Sequence, residues 1–159
     1  MKKIKLTRGL FALVDDDDYE YLNTMKWFAH KRNNSFYATR KYLNKQISMH
    51  RQIMGVSDLN IIVDHKDLNT LNNSRSNLRL ANKSQNNCNI KQRIDNTSKY
   101  KGVAPYRSRG KGPLKWRSTI SKDNKWHHLG YFKTPEDAAK AYNEAALKYH
   151  GEFANLNKI

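Results

Sequence analysis

Strand-like alternation and helix-like spacing follow one another along this chain. Lys3 to Val14 alternates apolar and polar positions around Arg8-Gly9, which predicts a strand pair turned at that point. Asp15 to Asp18 stand just before Tyr19, Leu22 and Met25, which repeat at helical spacing. Acids there suit the free N–H groups and the dipole of a helix start, so they read as a cap and not as a metal cluster. Trp27 to Ala29 and Ser35 to Tyr42 read as two strands joined at Asn33-Asn34. Ile47 to His50 reads as a further short strand, with a helical turn running on to Gly55.

The pattern then changes. Ile61-Ile62-Val63 is a short β-branched run, so Asp64 and His65 fall at a strand end. Residues 66–76 are rich in Asn and Ser and read as a loop, and Leu78-Arg79-Leu80 reads as the returning strand. Asn82 can cap a helix whose early turns hold Gln85, Asn86 and Asn89. Residues 91–99 are polar and read as a linker. Beyond them, Gly102 to Tyr106, Trp116 to Ser121 and Lys125 to Leu129 read as three strands, turned at Gly110 to Pro113 and at Asp123-Asn124. Thr134-Pro135-Glu136-Asp137 is a strong helix start, and the helix should end before Gly151. The expected fold class is α+β. Residues 1–90 form a first module with its strand–loop–strand–helix core at about 61–90, and residues 100–159 form a second.

Composition narrows the function classes. Thirty Lys and Arg against 14 Asp and Glu give a formal charge of +16. A soluble domain this basic points to a polyanionic partner, with nucleic acid as first candidate. Cys88 is the single cysteine, so no internal disulfide and no cysteine-based zinc site can form, which fits a reducing compartment such as the cytoplasm. No apolar run has the length of a membrane span, and no signal peptide is read after Met1.

A carboxylate beside an imidazole pairs a metal ligand with a candidate general base. Asn86, 22 residues after Asp64, is far enough along for the chain to double back and offer a second oxygen ligand. On so basic a chain, Asp64, His65 and Asn86 point to metal-assisted phosphodiester cleavage. Hard oxygen ligands favour Mg²⁺ or Mn²⁺ over Zn²⁺. Alternation puts Arg117, Thr119 and Ser121 on one sheet face with Trp126 and His128, and Trp116, Ser118, Ile120, His127 and Leu129 on the helix side.

Asp64-His65, Asn73, Asn77-Leu78-Arg79 and Gln85-Asn86, preceded by His50-Arg51, resemble the HNH (ββα-metal) endonucleases of phage and homing type. The sequence departs from their usual wording at Asp67, Asn72 and Ser74, and its last ligand is Asn86 where many members have His. The resemblance implies that Asn77 ties the loop to the strand and supports His65. His50 is then either a phosphate contact or a packed histidine, and Arg51 a DNA contact beside it. Tyr100 to Val103, Lys115-Trp116-Arg117, Leu129 to Phe132 and Pro135 to Tyr142 resemble the AP2 DNA-binding domain. That implies a three-stranded sheet in a DNA groove with a helix behind it. Lys101, Arg107, Arg109, Lys115, Arg117, Thr119, Lys125, Trp126 and His128 are then the expected DNA contacts. Taken together, the chain reads as a monomeric Mg²⁺-dependent endonuclease on double-stranded DNA, with no membrane and no small-molecule substrate. The alternative is a DNA-binding regulator with a decayed nuclease module.

Overall fold

A computed structural model describes residues 1–89, 96–108, 112–123 and 125–159. It is a mixed α+β chain of small antiparallel sheets that divides into two units, Met1–Lys83 and Ser84–Ile159. The division falls at Lys83/Ser84, earlier than the sequence reading of residue 90. Residue 90, the first part of the expected linker (91–95), Arg109 to Lys111 and Asn124 lie outside the described residues.

In the N-terminal unit, β1 (Lys2–Lys5) and β2 (Phe11–Val14) pair around a tight turn at Thr7–Gly9. Helix α1 (Asp16–Asn23) follows. Strands β3 (Phe28–Arg32), β4 (Ser35–Tyr42) and β5 (Lys45–Ser48) form a sheet with β4 central. A short helix α2 (Met49–Ile53) leads to the two-stranded sheet of β6 (Ile62–His65) and β7 (Leu78–Ala81). Ile4, Val14, Leu22, Trp27, Ala29, Ala38, Met49, Val63 and Leu78 share one core, drawn from every one of these sheets. The Trp27 indole joins it by donating to the Leu22 carbonyl at 2.8 Å, which satisfies its one polar atom on burial.

Two local expectations change. Met49 and His50 are helical, because the strand ends at Ser48 and Met49 must turn into the core, where it is fully buried. The acids at the start of α1 do not act as expected either. Asp15 is the N-cap by position but makes no side-chain cap bond. Its Oδ2 instead accepts the Arg75 backbone N–H at 2.8 Å, and Asp18 takes the Arg75 guanidinium on both oxygens at 2.7 and 2.8 Å.

Helix α3 (Lys83–Cys88) starts directly after Asn82, and all but its first residue, Asn86 included, belong to the C-terminal unit. Strands β8 (Val103–Tyr106), β9 (Lys115–Lys122) and β10 (Lys125–Phe132) form an antiparallel sheet with β9 central, and α4 (Pro135–His150) packs on it. Thr134 caps α4 as expected, accepting the Asp137 N–H at 3.1 Å. Ala138, Ala139 and Ala146 are fully buried, so small side chains let helix and sheet meet closely. Gly102 has φ +75°, and a Cβ there would run into the Tyr142 ring and the Thr119 carbonyl, so this approach needs glycine. No helix among the described residues is long and apolar enough to cross a membrane.

Candidate active site

The centre of the site is the end of β6. Asp64 pairs with Arg79 across the two-stranded sheet, and His65 pairs with Leu78. Arg79 donates from Nε and Nη2 to Asp64 Oδ2 at 2.9 and 2.8 Å, and both side chains are less than a tenth exposed. An aspartate held in this way is fixed in rotamer, which an ion ligand needs.

The His65 ring is buried and boxed in. His50 meets it edge-on at 5.1 Å between centroids, and Tyr37 from β4 meets it at 6.3 Å. Its Nε2 lies 3.4 Å from Asn73 Oδ1. The Asn73 amide is oriented by its own Nδ2, which donates to the Leu71 carbonyl at 3.1 Å, so the oxygen faces the histidine. An oxygen can only accept, so this contact places the ring proton on Nε2 and makes Nδ1 the basic nitrogen. Burial lowers the His65 pKa, against the opposing pull of Asn73, Asp67 and Asp64. The imidazole is therefore neutral near pH 7, the form that can take a proton. His50 is pushed down further, to about 3, by burial first and then by His65, Arg51 and Arg32.

The loop between the strands is held by amides. Asn77 Nδ2 donates to Asp67 Oδ1 at 2.9 Å and to the Asn72 carbonyl at 2.8 Å, while its Oδ1 accepts the Asp67 N–H at 3.0 Å. Burial would raise the Asp67 pKa, but bonds from Asn72, the Asn69 backbone and Asn77 outweigh it and hold the carboxyl low. Asn77 thus braces the loop, while the amide that meets the His65 ring is Asn73. The sequence reading placed Asn73 in the motif but gave it no role. Its signal is that it is fully buried, which an Asn in a solvated loop would not be.

Residues 49–88 match the HNH endonuclease family, a span that holds Asp64, His65, Asn73, Asn77 and Asn86. The chain is also 34% identical, over 157 residues, to a protein of Acanthamoeba polyphaga mimivirus named as an uncharacterized HNH endonuclease; the alignment covers 96% of this chain and 77% of the viral one. The chain belongs to the HNH endonuclease family. It is accordingly a nuclease, of a family whose members in general depend on a divalent metal. No solved structure matches it.

The remaining site candidates of this HNH endonuclease are spread over both units. His50 is buried at 9% exposure, and its ring packs against those of Tyr37 and His65. The Arg51 guanidinium donates to the Ile61 and Asp58 carbonyls at 2.8 and 2.6 Å, pinning the turn that leads into β6. Asn86 stands on α3 in the C-terminal unit. Lys101 is partly buried with its ammonium donating to the Cys88 carbonyl at 2.6 Å, at the C-terminal end of α3, where a cation suits the helix dipole. Cys88 donates to the Ser84 carbonyl and its thiol pKa is raised by burial, which leaves it chemically quiet.

On the sheet of the C-terminal unit, Lys115, Arg117, Lys125, Trp126 and His128 are exposed, Thr119 is half-buried, and Arg107 is exposed just past β8. Trp126 is 75% exposed, which no core role explains. Trp116 packs with Val103, Ala138 and Ala139 on the helix side, and His127 stacks on Tyr149 of α4 at 5.1 Å. Simple alternation fails beyond His128, where a bulge shifts the register so that Tyr131 pairs with Arg117. Tyr131 thereby joins the outward face, 4.3 Å from Tyr106 and 4.6 Å from His128 between centroids. Arg109 lies outside the described residues.

Proposed function

We propose that this HNH endonuclease hydrolyses phosphodiester bonds in duplex DNA, with His65 as general base and Asp64 and Asn86 as oxygen ligands of one Mg²⁺-type ion. The observation that carries the reading is the orientation of His65, neutral and held through Nε2 by Asn73, directly beside the Arg79-fixed Asp64.

The donor set fits such an ion. Among the described residues no group of three or more His, Cys, Asp or Glu gathers as a zinc cage would. A Mg²⁺-type ion asks for less: one or two protein oxygens, with water and a phosphate oxygen completing its shell. Asp64 supplies the first and Asn86, from its place in the motif, the second. When bound, the ion neutralises charge at the attacked phosphate and at the departing 3′ oxygen.

His65 Nδ1 takes the proton from the attacking water as the P–O bond to the 3′ oxygen breaks, and the 3′ oxygen takes a proton from solvent, leaving 5′-phosphate and 3′-hydroxyl ends. Asn73 holds the ring so that Nδ1 is the nitrogen presented, and Tyr37 and His50 keep it from rotating. The C-terminal unit meets the duplex with its outward sheet face, in the manner of an AP2 module. Arg117, Lys115, Lys125 and Arg107 supply charge, and Thr119, Trp126 and His128 lie between them.

The test is incubation of supercoiled plasmid with the full chain and Mg²⁺, with nicked and linear products separated on a gel. Cleavage should vanish in EDTA and return with Mg²⁺ or Mn²⁺. His65→Ala should bind DNA as before and cleave at least about 100-fold more slowly. Full activity in EDTA, or an unimpaired His65→Ala, overturns the proposal. A wild type that binds but never cuts favours the DNA-binding regulator.

A further inference from the structure

Among the described residues, three hairpin turns open on a left-handed residue. Asn33 has φ +53° between β3 and β4, Asp123 has φ +51° between β9 and β10, and Leu43 has φ +46° between β4 and β5. Asn and Asp are the side chains that tolerate this conformation, because they are short and bond locally. Leucine has neither property, and in a left-handed turn its Cβ crowds the following carbonyl. Asn44 is also left-handed, at φ +60°, so the turn is of the mirror-image type that asks for Asn or Gly at both positions.

Packing does not explain the exception. Leu43 is 78% exposed and touches no core, and Tyr42 beside it is 56% exposed. Leu68, the other left-handed leucine, is half-buried three residues past His65 and so has a structural setting. Leu43 has only the tip of a hairpin. That tip is flanked by exposed Lys41 and Lys45, and the Arg40 guanidinium lies 5.1 Å from the Tyr42 ring centroid, holding it in place. An apolar side chain kept strained at a projecting tip, with cations on both sides, matches the chemistry of a wedge between base steps with phosphates alongside.

We infer that the β4–β5 hairpin is a second DNA contact of this nuclease, in which Leu43 wedges into a base step while Lys41 and Lys45 meet the flanking phosphates. The inference rests on duplex DNA being the substrate. The strand that ends just before Leu43 carries Tyr37, whose ring meets His65. Six residues of strand span at most about 20 Å, so the wedged step lies within about six base pairs of the cut.

The experiment uses the full chain in EDTA, where DNA is bound and not cleaved. Leu43→Asn restores turn chemistry and removes the wedge, so stability and binding should move in opposite directions. Its thermal midpoint should equal or exceed that of the wild type, while duplex affinity falls about tenfold. Duplexes carrying 2-aminopurine at each step within six base pairs of the mapped cut should brighten on binding at one step, and this signal should be absent with Leu43→Asn. A variant that binds as tightly as the wild type, or one that unfolds at markedly lower temperature, overturns the inference. Wild type that binds without any 2-aminopurine signal overturns the wedge alone. Wild type that fails to bind duplex DNA overturns the DNA reading and the wedge with it.

Discussion

Arg79→Leu isolates the physical core of the site. In the native protein the guanidinium donates twice to Asp64 Oδ2, at 2.9 and 2.8 Å, and the pair is 9% and 8% exposed. Leucine removes both donors and leaves a buried carboxylate without its cation. Breaking a buried pair from one side costs about 3–5 kcal/mol, because the remaining charge stays desolvated and has lost its opposite charge. A domain's whole stability is about 5–15 kcal/mol, so the loss is a large share of what holds the N-terminal unit folded. For a unit of this size each kcal/mol corresponds to about 4–8 °C in melting temperature, so a drop of at least about 12 °C is expected. The assay is thermal unfolding followed by circular dichroism. The control is the double variant Asp64→Asn, Arg79→Leu, which removes both charges and should recover most of the loss. A single variant within about 1 kcal/mol of wild type, or a double variant no more stable than the single, refutes the reasoning.

Two further outcomes follow from burial and charge. His50 and His65 stay neutral in the fold but take protons when unfolded below about pH 6.5. Their contribution to stability is therefore full above that pH and is lost as pH falls towards 3, with a slope of up to about 1.4 kcal/mol per pH unit from His50 alone. Unfolding midpoints measured from pH 7 to pH 4 should show it, and His50→Phe should flatten the slope; an unchanged slope would remove His50 as the cause. Duplex affinity should fall steeply with salt, and Arg117→Ala should reduce the slope of log K against log salt by about 1 if Arg117 meets a phosphate; an identical slope would take it off the backbone.

Much of the fold was legible because it obeys short-range rules. The turns at Asn33-Asn34 and Arg8-Gly9, the Thr134 cap and the alternating faces of β9 follow from local chemistry, and all are present. The misreadings share one cause, which is that a distant partner decided the outcome. Asp15 and Asp18 look like a helix cap from their neighbours, but their oxygens go to Arg75, some sixty residues further along. His50 continues an alternating run, yet the core required Met49 to turn inward, and the helix took His50 with it. Tyr131 changes face because of a bulge at Gly130 that no alternation rule anticipates. At the site, Asp64, His65 and Asn86 stood out by residue type and spacing. Which Asn would touch the histidine did not, because Asn69, Asn72, Asn73 and Asn77 are chemically alike and only the path of the loop separates them.

That path is set by chain outside the matched family segment. A two-stranded sheet such as β6–β7 is barely stable alone, and a loop of eleven or so polar residues has no core of its own. The loop gains its shape from the first 48 residues. Leu13 donates its N–H to the Leu71 carbonyl at 2.8 Å, and its own carbonyl accepts the Asn73 N–H at 2.8 Å, so β2 grips the loop on both sides of Asn72. Thr70 donates to the Phe36 carbonyl at 2.6 Å, and Arg75 is held by Asp15 and Asp18. Each of these contacts lies within five residues of Asn73, the residue that orients His65. The strand pair, helix and sheet before residue 49 therefore act as the frame that fixes which of several similar amides meets the His65 ring. The HNH motif supplies the residue types, and the chain before it supplies their geometry.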